Sequence, residues 1–117
     1  MRQYESGLEG ERQAEHFLTE HCGMTCLARR YRAEGGELDL VMADGETTVF
    51  VEVKARPGGR AGEGLLAITP GKRQRMLRTA RAYLLETGGM NRPVRFDVVE
   101  ITRDGLRHIP NAFGATG

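Results

Sequence analysis

Apolar positions recur along the chain in two rhythms, and the switches between them mark out the elements. From Ser6 to Cys22 the positions Gly10, Ala14, Phe17, Leu18 and His21 fall at spacings of three and four, which predicts a helix stopped by Gly23. Met24 to Arg32 reads as a first strand, closed by the turn Ala33-Glu34-Gly35-Gly36. Glu37 to Ala43 and Thr47 to Arg56 read as two further strands, and Asp44-Gly45 between them is a hairpin signal. Pro57 to Gly64, with four glycines, reads as a mobile loop. Thr69 offers an N-cap and Pro70 a first helical residue for a second helix running to about Glu86. Its apolar arc is Met76, Leu77, Ala80, Tyr83 and Leu84, and Gly88-Gly89 ends it. Val94 to Ile101 is a fourth strand, Leu106 to Ile109 a short partner across the turn Arg103-Asp104-Gly105, and 110–117 a tail.

This order is helix, three-stranded meander, helix, strand, strand. A strand, helix, strand crossover normally returns parallel to the strand it left. The fourth strand is therefore expected beside Thr47 to Arg56 and parallel to it, in an α/β fold with a mixed sheet flanked by helices. Strand side chains alternate between faces, so Glu37, Asp39 and Val41 share one face of the second strand and Phe50, Glu52 and Lys54 one face of the third. A loop of Asp44-Gly45 alone makes paired residue numbers sum to 89, and a four-residue loop makes them sum to 91. Either puts Asp39, Glu52 and Lys54 on one face; a loop of three or five residues would split them.

The length of 117 residues suits one domain, 1–117, and the net charge of +1 with a globular share of apolar residues excludes a disordered chain. No apolar run approaches the roughly 20 residues of a membrane span, and the polar start lacks a secretory core, so the expected location is the cytoplasm, away from membranes. Cys22 and Cys26 are too few for a disulfide scaffold, and their spacing fits neither the common zinc pairs nor a redox pair. The small net charge conceals a segregation: from Lys54 to Arg81 there are eight basic residues and one acidic residue, Glu63. Such a face beside a carboxylate cluster suits a phosphate-bearing partner. Lys72 and Arg73 stand in the first turn of the second helix, where cations oppose the helix dipole, so an anion there would explain them.

Charges inside apolar strands need a reason, and Leu38-Asp39-Leu40 and Phe50-Val51-Glu52-Val53-Lys54 hold three of them. Hydrolysis of a phosphodiester needs a cation, carboxylates to hold it, and a group that positions water. Asp39 and Glu52 can hold Mg²⁺ or Mn²⁺, the carbonyl of Val53 can add a hard oxygen, and Lys54 can orient the water. Glu11 borders the apolar stripe of the first helix, where a carboxylate is costly unless it is paired or metal-bound. The bland alternative is a solvated polar face carrying an ordinary Glu-Lys neighbour pair.

The motifs Gly10-Glu11-Arg12-Gln13-Ala14, Gly36-Glu37-Leu38-Asp39-Leu40, Phe50-Val51-Glu52-Val53-Lys54-Ala55-Arg56, Lys72 and Arg95-Phe96-Asp97-Val98-Val99, in that order over about residues 7–113, resemble the YraN-like family of small bacterial proteins. That family is similar to archaeal Holliday-junction resolvases and to the PD-(D/E)-x-K, restriction-endonuclease-like nucleases. The resemblance implies an αβββαβ core, Asp39 and Glu52 as metal ligands, Lys54 as the catalytic lysine, and Glu11 completing the metal site directly or through water. Leu38 stands in place of the superfamily's proline, Arg30 where the family pattern has asparagine, and 58–64 lacks an aromatic. The expected function is a metal-dependent endonuclease acting on branched or single-stranded DNA, RNA being a second polymer of the same chemistry. Arg56, Arg60, Lys72, Arg73 and Arg75 would hold phosphates, and cutting two strands would be simplest in a symmetric homodimer. The rival is a non-catalytic nucleic-acid or protein-binding module on the same fold.

Overall fold

A computed structural model describes residues 3–114. The elements are α1 (Gln3–Glu20), β1 (Thr25–Ala33), β2 (Gly36–Asp44), β3 (Thr47–Ala55), the single turn α2 (Glu63–Leu66), α3 (Pro70–Thr87), β4 (Val94–Thr102) and β5 (Gly105–Phe113). The five strands form one sheet in the order β1-β2-β3-β4-β5. All neighbours are antiparallel except β3 and β4, which the α3 crossover makes parallel, as expected of a strand, helix, strand unit. Among the described residues no helix is long and apolar enough to cross a membrane.

Alternation along β3 feeds two cores. Val49 and Val51 pack with Leu40, Met42 and Val99 beneath Ala14 and Leu18 of α1. Phe50 faces the other way, with Val41, Phe96 and Val98, against Met76, Ala80, Tyr83 and Leu84 of α3. Thr69 caps α3, its hydroxyl accepting from the Lys72 N–H at 3.3 Å, and Gly88 ends the helix with φ of 76°. Gly10 lets α1 come close to β3, because a Cβ there would stand 2.7 Å from Ala55 Cβ.

Two segments differ from the sequence expectation. The loop after β3 is stitched to the β4–β5 hairpin rather than left free: Asp104 accepts from the Ala61 N–H at 3.2 Å, and Arg103 donates to the Gly59 carbonyl at 3.2 Å. The expected tail, 110–117, is a strand as far as Phe113, while 115–117 lie outside the described residues. β5 continues because the fully buried Asp97 needs partners. It accepts from the Asn111 N–H at 2.9 Å, lies 2.7 Å from His108 Nε2, and takes Arg95 Nε at 3.0 Å, while Arg95 also reaches Asp44 at 2.9 Å. Burial pushes the Asp97 carboxyl up, and the bonds from His108, Arg95 and Asn111 outweigh it, holding the group below the ordinary range. Phe113 then stacks on Phe96, ring centroids 5.0 Å apart. Phe113→Ala is expected to cost about 3 kcal/mol of unfolding free energy in urea titrations; a change within about 0.5 kcal/mol, as for a surface position, would return the segment to the status of a tail.

Candidate active site

β2 and β3 start in good register and then part. The closing pair Asp44↔Thr47 leaves Gly45-Glu46 as the turn, and the paired numbers sum to 91, the second of the two registers that keep the charges together. The ladder ends at Leu40↔Val51. One step further on, the Val53 N–H donates to Asp39 Oδ2 at 2.8 Å. A side chain thus takes a backbone donor on the β2 side of β3, and the Val53 carbonyl, on the same edge of its strand, faces the same opening.

The cause is a kink shared by two strands. Leu38 packs on the α3 side and Leu40 on the α1 side, although regular alternation would put both on one face. Across the β1–β2 ladder, Arg29↔Leu40 and Tyr31↔Leu38 leave Arg30 opposite Asp39, and that pair is missing from the register. Arg30 has φ of 50°, in the left-handed region. Asparagine enters this region far more readily than most residues, so the backbone at this position suits the residue that the resemblance led us to expect there.

The parting brings the predicted carboxylates together. Asp39 is half-buried, and its carboxyl is pushed up to about 8, first by burial, then by the neighbouring charge and contact of Glu52, against the opposing Val53 bond. Lys54 Nζ lies 3.6 Å from Glu52 Oε1, with both side chains mostly buried. Two openings reach this pair. One of about 290 Å³ on the α1 side is lined by Gly7, Glu11, Lys54 and Arg56; one of about 280 Å³ on the α3 side is lined by Gly36, Glu37, Lys72 and Arg75. Lys72 therefore stands at the carboxylates themselves. Contact with the Lys54 ammonium, then burial, holds its own ammonium below the ordinary range. A cation in the first turn of α3 now has acidic neighbours, since Glu52 and Asp39 act on Lys72 in the opposite sense.

Glu11 reaches the same opening, but its carboxylate is engaged. Arg30 Nε and Nη2 donate to its two oxygens at 2.9 Å each, a bidentate pair. Burial raises the Glu11 carboxyl against this pairing, and the charge of Asp39 raises it further. Among the described residues no three His, Cys, Asp or Glu side chains are gathered to hold a metal. The oxygen set that fits a hard cation is accordingly Asp39, Glu52 and the Val53 carbonyl, two of them acids that repel each other without one. Arg56 and Arg60 are exposed, whereas Arg73 lies over the Phe113 ring, 5.2 Å from its centroid. Sequence reasoning missed Arg30; a basic residue where the pattern has asparagine was the available signal.

A raised carboxyl has a signed consequence for stability. Below pH 3.8, the ordinary value for the group, Asp39 is protonated in both folded and unfolded chains; from there to about 8 the unfolded chain loses a proton that the folded one keeps. Stability therefore falls with rising pH through that window. Asp39→Asn should remove this loss, so urea titrations in EDTA should show the variant gaining on the parent between about pH 5 and pH 8. A constant difference across that range would show that Asp39 ionises normally.

Comparison with known proteins agrees with the motifs. The uncharacterised protein family UPF0102 matches residues 10–101. A UPF0102 protein of Klebsiella pneumoniae is 41% identical over 112 residues, covering 94% of this chain and 87% of its own. One from Serratia proteamaculans is 43% identical over 117 residues, covering 98% and 99%, and one from Symbiobacterium thermophilum 45% over 114 residues, covering 93% and 96%. With the family matched over most of its length and relatives at this identity aligned nearly end to end, the chain belongs to the UPF0102, YraN-like, family.

Proposed function

We propose that the protein is a metal-dependent endonuclease that hydrolyses phosphodiester bonds in DNA with single-stranded or branched character. The observation that carries this reading is the meeting of two carboxylates and two ammonium groups where β2 and β3 part. A divalent ion such as Mg²⁺ or Mn²⁺, held by Asp39, Glu52 and the Val53 carbonyl, would supply charge neutralisation for the phosphoryl oxygens. The chain's own residues do the rest. Lys54, fixed beside Glu52, holds the attacking water; water adds across the P–O bond, its oxygen joining phosphorus and its proton passing to the departing alkoxide. Lys72 and Arg75 on one side, and Arg56 and Arg60 on the other, hold the flanking phosphates, contacts that give affinity without sequence preference.

One observation favours the rival reading of a non-catalytic binding module: Glu11 is occupied by Arg30. Labelled single-stranded, branched and duplex DNA incubated with Mg²⁺, Mn²⁺ or EDTA separates the two. The nuclease reading expects metal-dependent cleavage, abolished by EDTA and by Asp39→Asn, whereas metal-independent binding with no cleavage of any substrate would establish the rival.

The two lysines should also divide. Lys54→Ala is expected to lower turnover strongly with nearly intact DNA affinity, because positioning of water acts in the transition state. Lys72→Ala is expected to weaken binding and to reduce the salt slope by about one, with a smaller change in saturated turnover. A shared phenotype of lost binding with unchanged saturated turnover would make Lys54 a phosphate contact and end the mechanism.

A further inference from the structure

Glu100 is a buried acid that neither the carboxylate pair nor the apolar cores account for. It stands in the run Val98-Val99-Glu100-Ile101, is 1% exposed, and is the direct neighbour of Lys54 across the parallel β3–β4 ladder. Isolated, such a carboxylate would be very costly. Its bonds go to the backbone that enters α2: the Gly62 N–H lies 2.9 Å from both oxygens, and the Gly64 N–H donates to Oε2 at 2.7 Å. Arg107 adds a mostly exposed cation 3.9 Å from Oε1.

What these bonds draw down is a backbone with no room to spare. A Cβ on Gly64 would stand 2.9 Å from Lys54 Cβ and 2.9 Å from Glu100 Cγ, and Gly62 has φ of 97°, a conformation suited to glycine. The Gly64 backbone thus lies against the base of the Lys54 side chain. Lysine carries large rotamer entropy, and a lysine that must hold a water molecule in one place needs its stem confined.

We propose that Glu100 is a positioning residue for Lys54: it clamps the glycine backbone of 62–64 over the lysine stem and so aims the ammonium at Glu52. What the aimed ammonium then does rests on the nuclease reading; the clamp itself does not. Sequence could have pointed to Glu100 by the rule applied to Asp39, an acid inside an apolar strand.

The chain has only two lysines, so lysine labelled with ¹³C at Cε yields two side-chain signals, assigned by Lys72→Arg. Glu100→Ala removes the bonds to the Gly62 and Gly64 N–H groups while the Asp104 and Arg103 contacts to Ala61 and Gly59 remain, and Gly64→Ala keeps the carboxylate but pushes the loop off the stem. Glu100→Gln keeps one oxygen able to take both N–H groups. The expected result is a displaced Lys54 signal in the two alanine variants and a return towards the parent position in Glu100→Gln. With DNA and Mg²⁺, kcat should fall roughly 100-fold in the alanine variants while KM stays within about twofold. Should Glu100→Ala fail to fold, Gly64→Ala carries the test. An unmoved Lys54 signal in folded Gly64→Ala would overturn the clamp. If the parent protein cleaves nothing while the Lys54 signal follows the expected pattern, the clamp stands and the nuclease reading falls.

Discussion

The bond from the Val53 N–H to Asp39 Oδ2 is the constraint on which the site depends. A strand that loses its neighbour leaves donors and acceptors unpaired inside the fold, a costly state. Here the carboxylate that needs burying and the N–H that needs an acceptor satisfy each other. The gap between β2 and β3 can therefore stay open instead of closing into further ladder, and every candidate ligand looks into it. The same bond keeps Asp39 close to Glu52, so repulsion between the two acids is built into the fold and appears as the raised proton affinity of Asp39.

Asp97, Glu100 and Asp39 are three of the acids inside the strands of this sheet, and the way each is satisfied distinguishes scaffold from site. Asp97 is surrounded by donors from Arg95, His108 and Asn111, which stabilise its charge and tie β4 to β5. Glu100 is satisfied by backbone N–H groups of a loop and holds that loop in place. Asp39 has a single backbone donor and another acid as neighbour. The first two arrangements are complete as they stand, whereas in the third two acids repel each other and a cation between them would offset that repulsion. Glu11 is a fourth case, an acid at the edge of a helix stripe whose burial is offset by a bidentate arginine.

Basic residues divide in a similar way. Arg73 and Lys72 are adjacent in the first turn of α3 and look equivalent as charges, yet the helix sends them to different faces. Arg73 spreads over the Phe113 ring, while Lys72 meets Lys54 and the carboxylates. A planar guanidinium suits an aromatic face, and a compact ammonium suits a crowded, partly buried opening.

Local pattern was enough to lay out most of the architecture. Spacings of three and four, alternation by two, the Thr69-Pro70 cap and the Gly88 stop are properties of neighbouring residues, and α1, the meander, α3 and β4 came out within a few residues of their observed ends. The parallel return of β4 followed from the strand, helix, strand crossover, and the placement of Asp39, Glu52 and Lys54 near one another from alternation together with a short turn. What the chain order left open were quantities set by distant partners. The hairpin loop was left open, with sums of 89 or 91 keeping the charges together and a loop of three or five residues splitting them; the observed ladder has the sum of 91. The capture of Glu11 by Arg30 joins residues 19 apart and depends on a left-handed residue in β1 that no periodicity signals. The last residues of β5 are held by a buried aspartate on another strand, and the meeting of Lys72 with Lys54 by the docking of α3 on the sheet. For Glu11 and for the end of β5 the deciding energy is the desolvation of a charge and the partner that offsets it, and such partners are chosen only when separate elements come together.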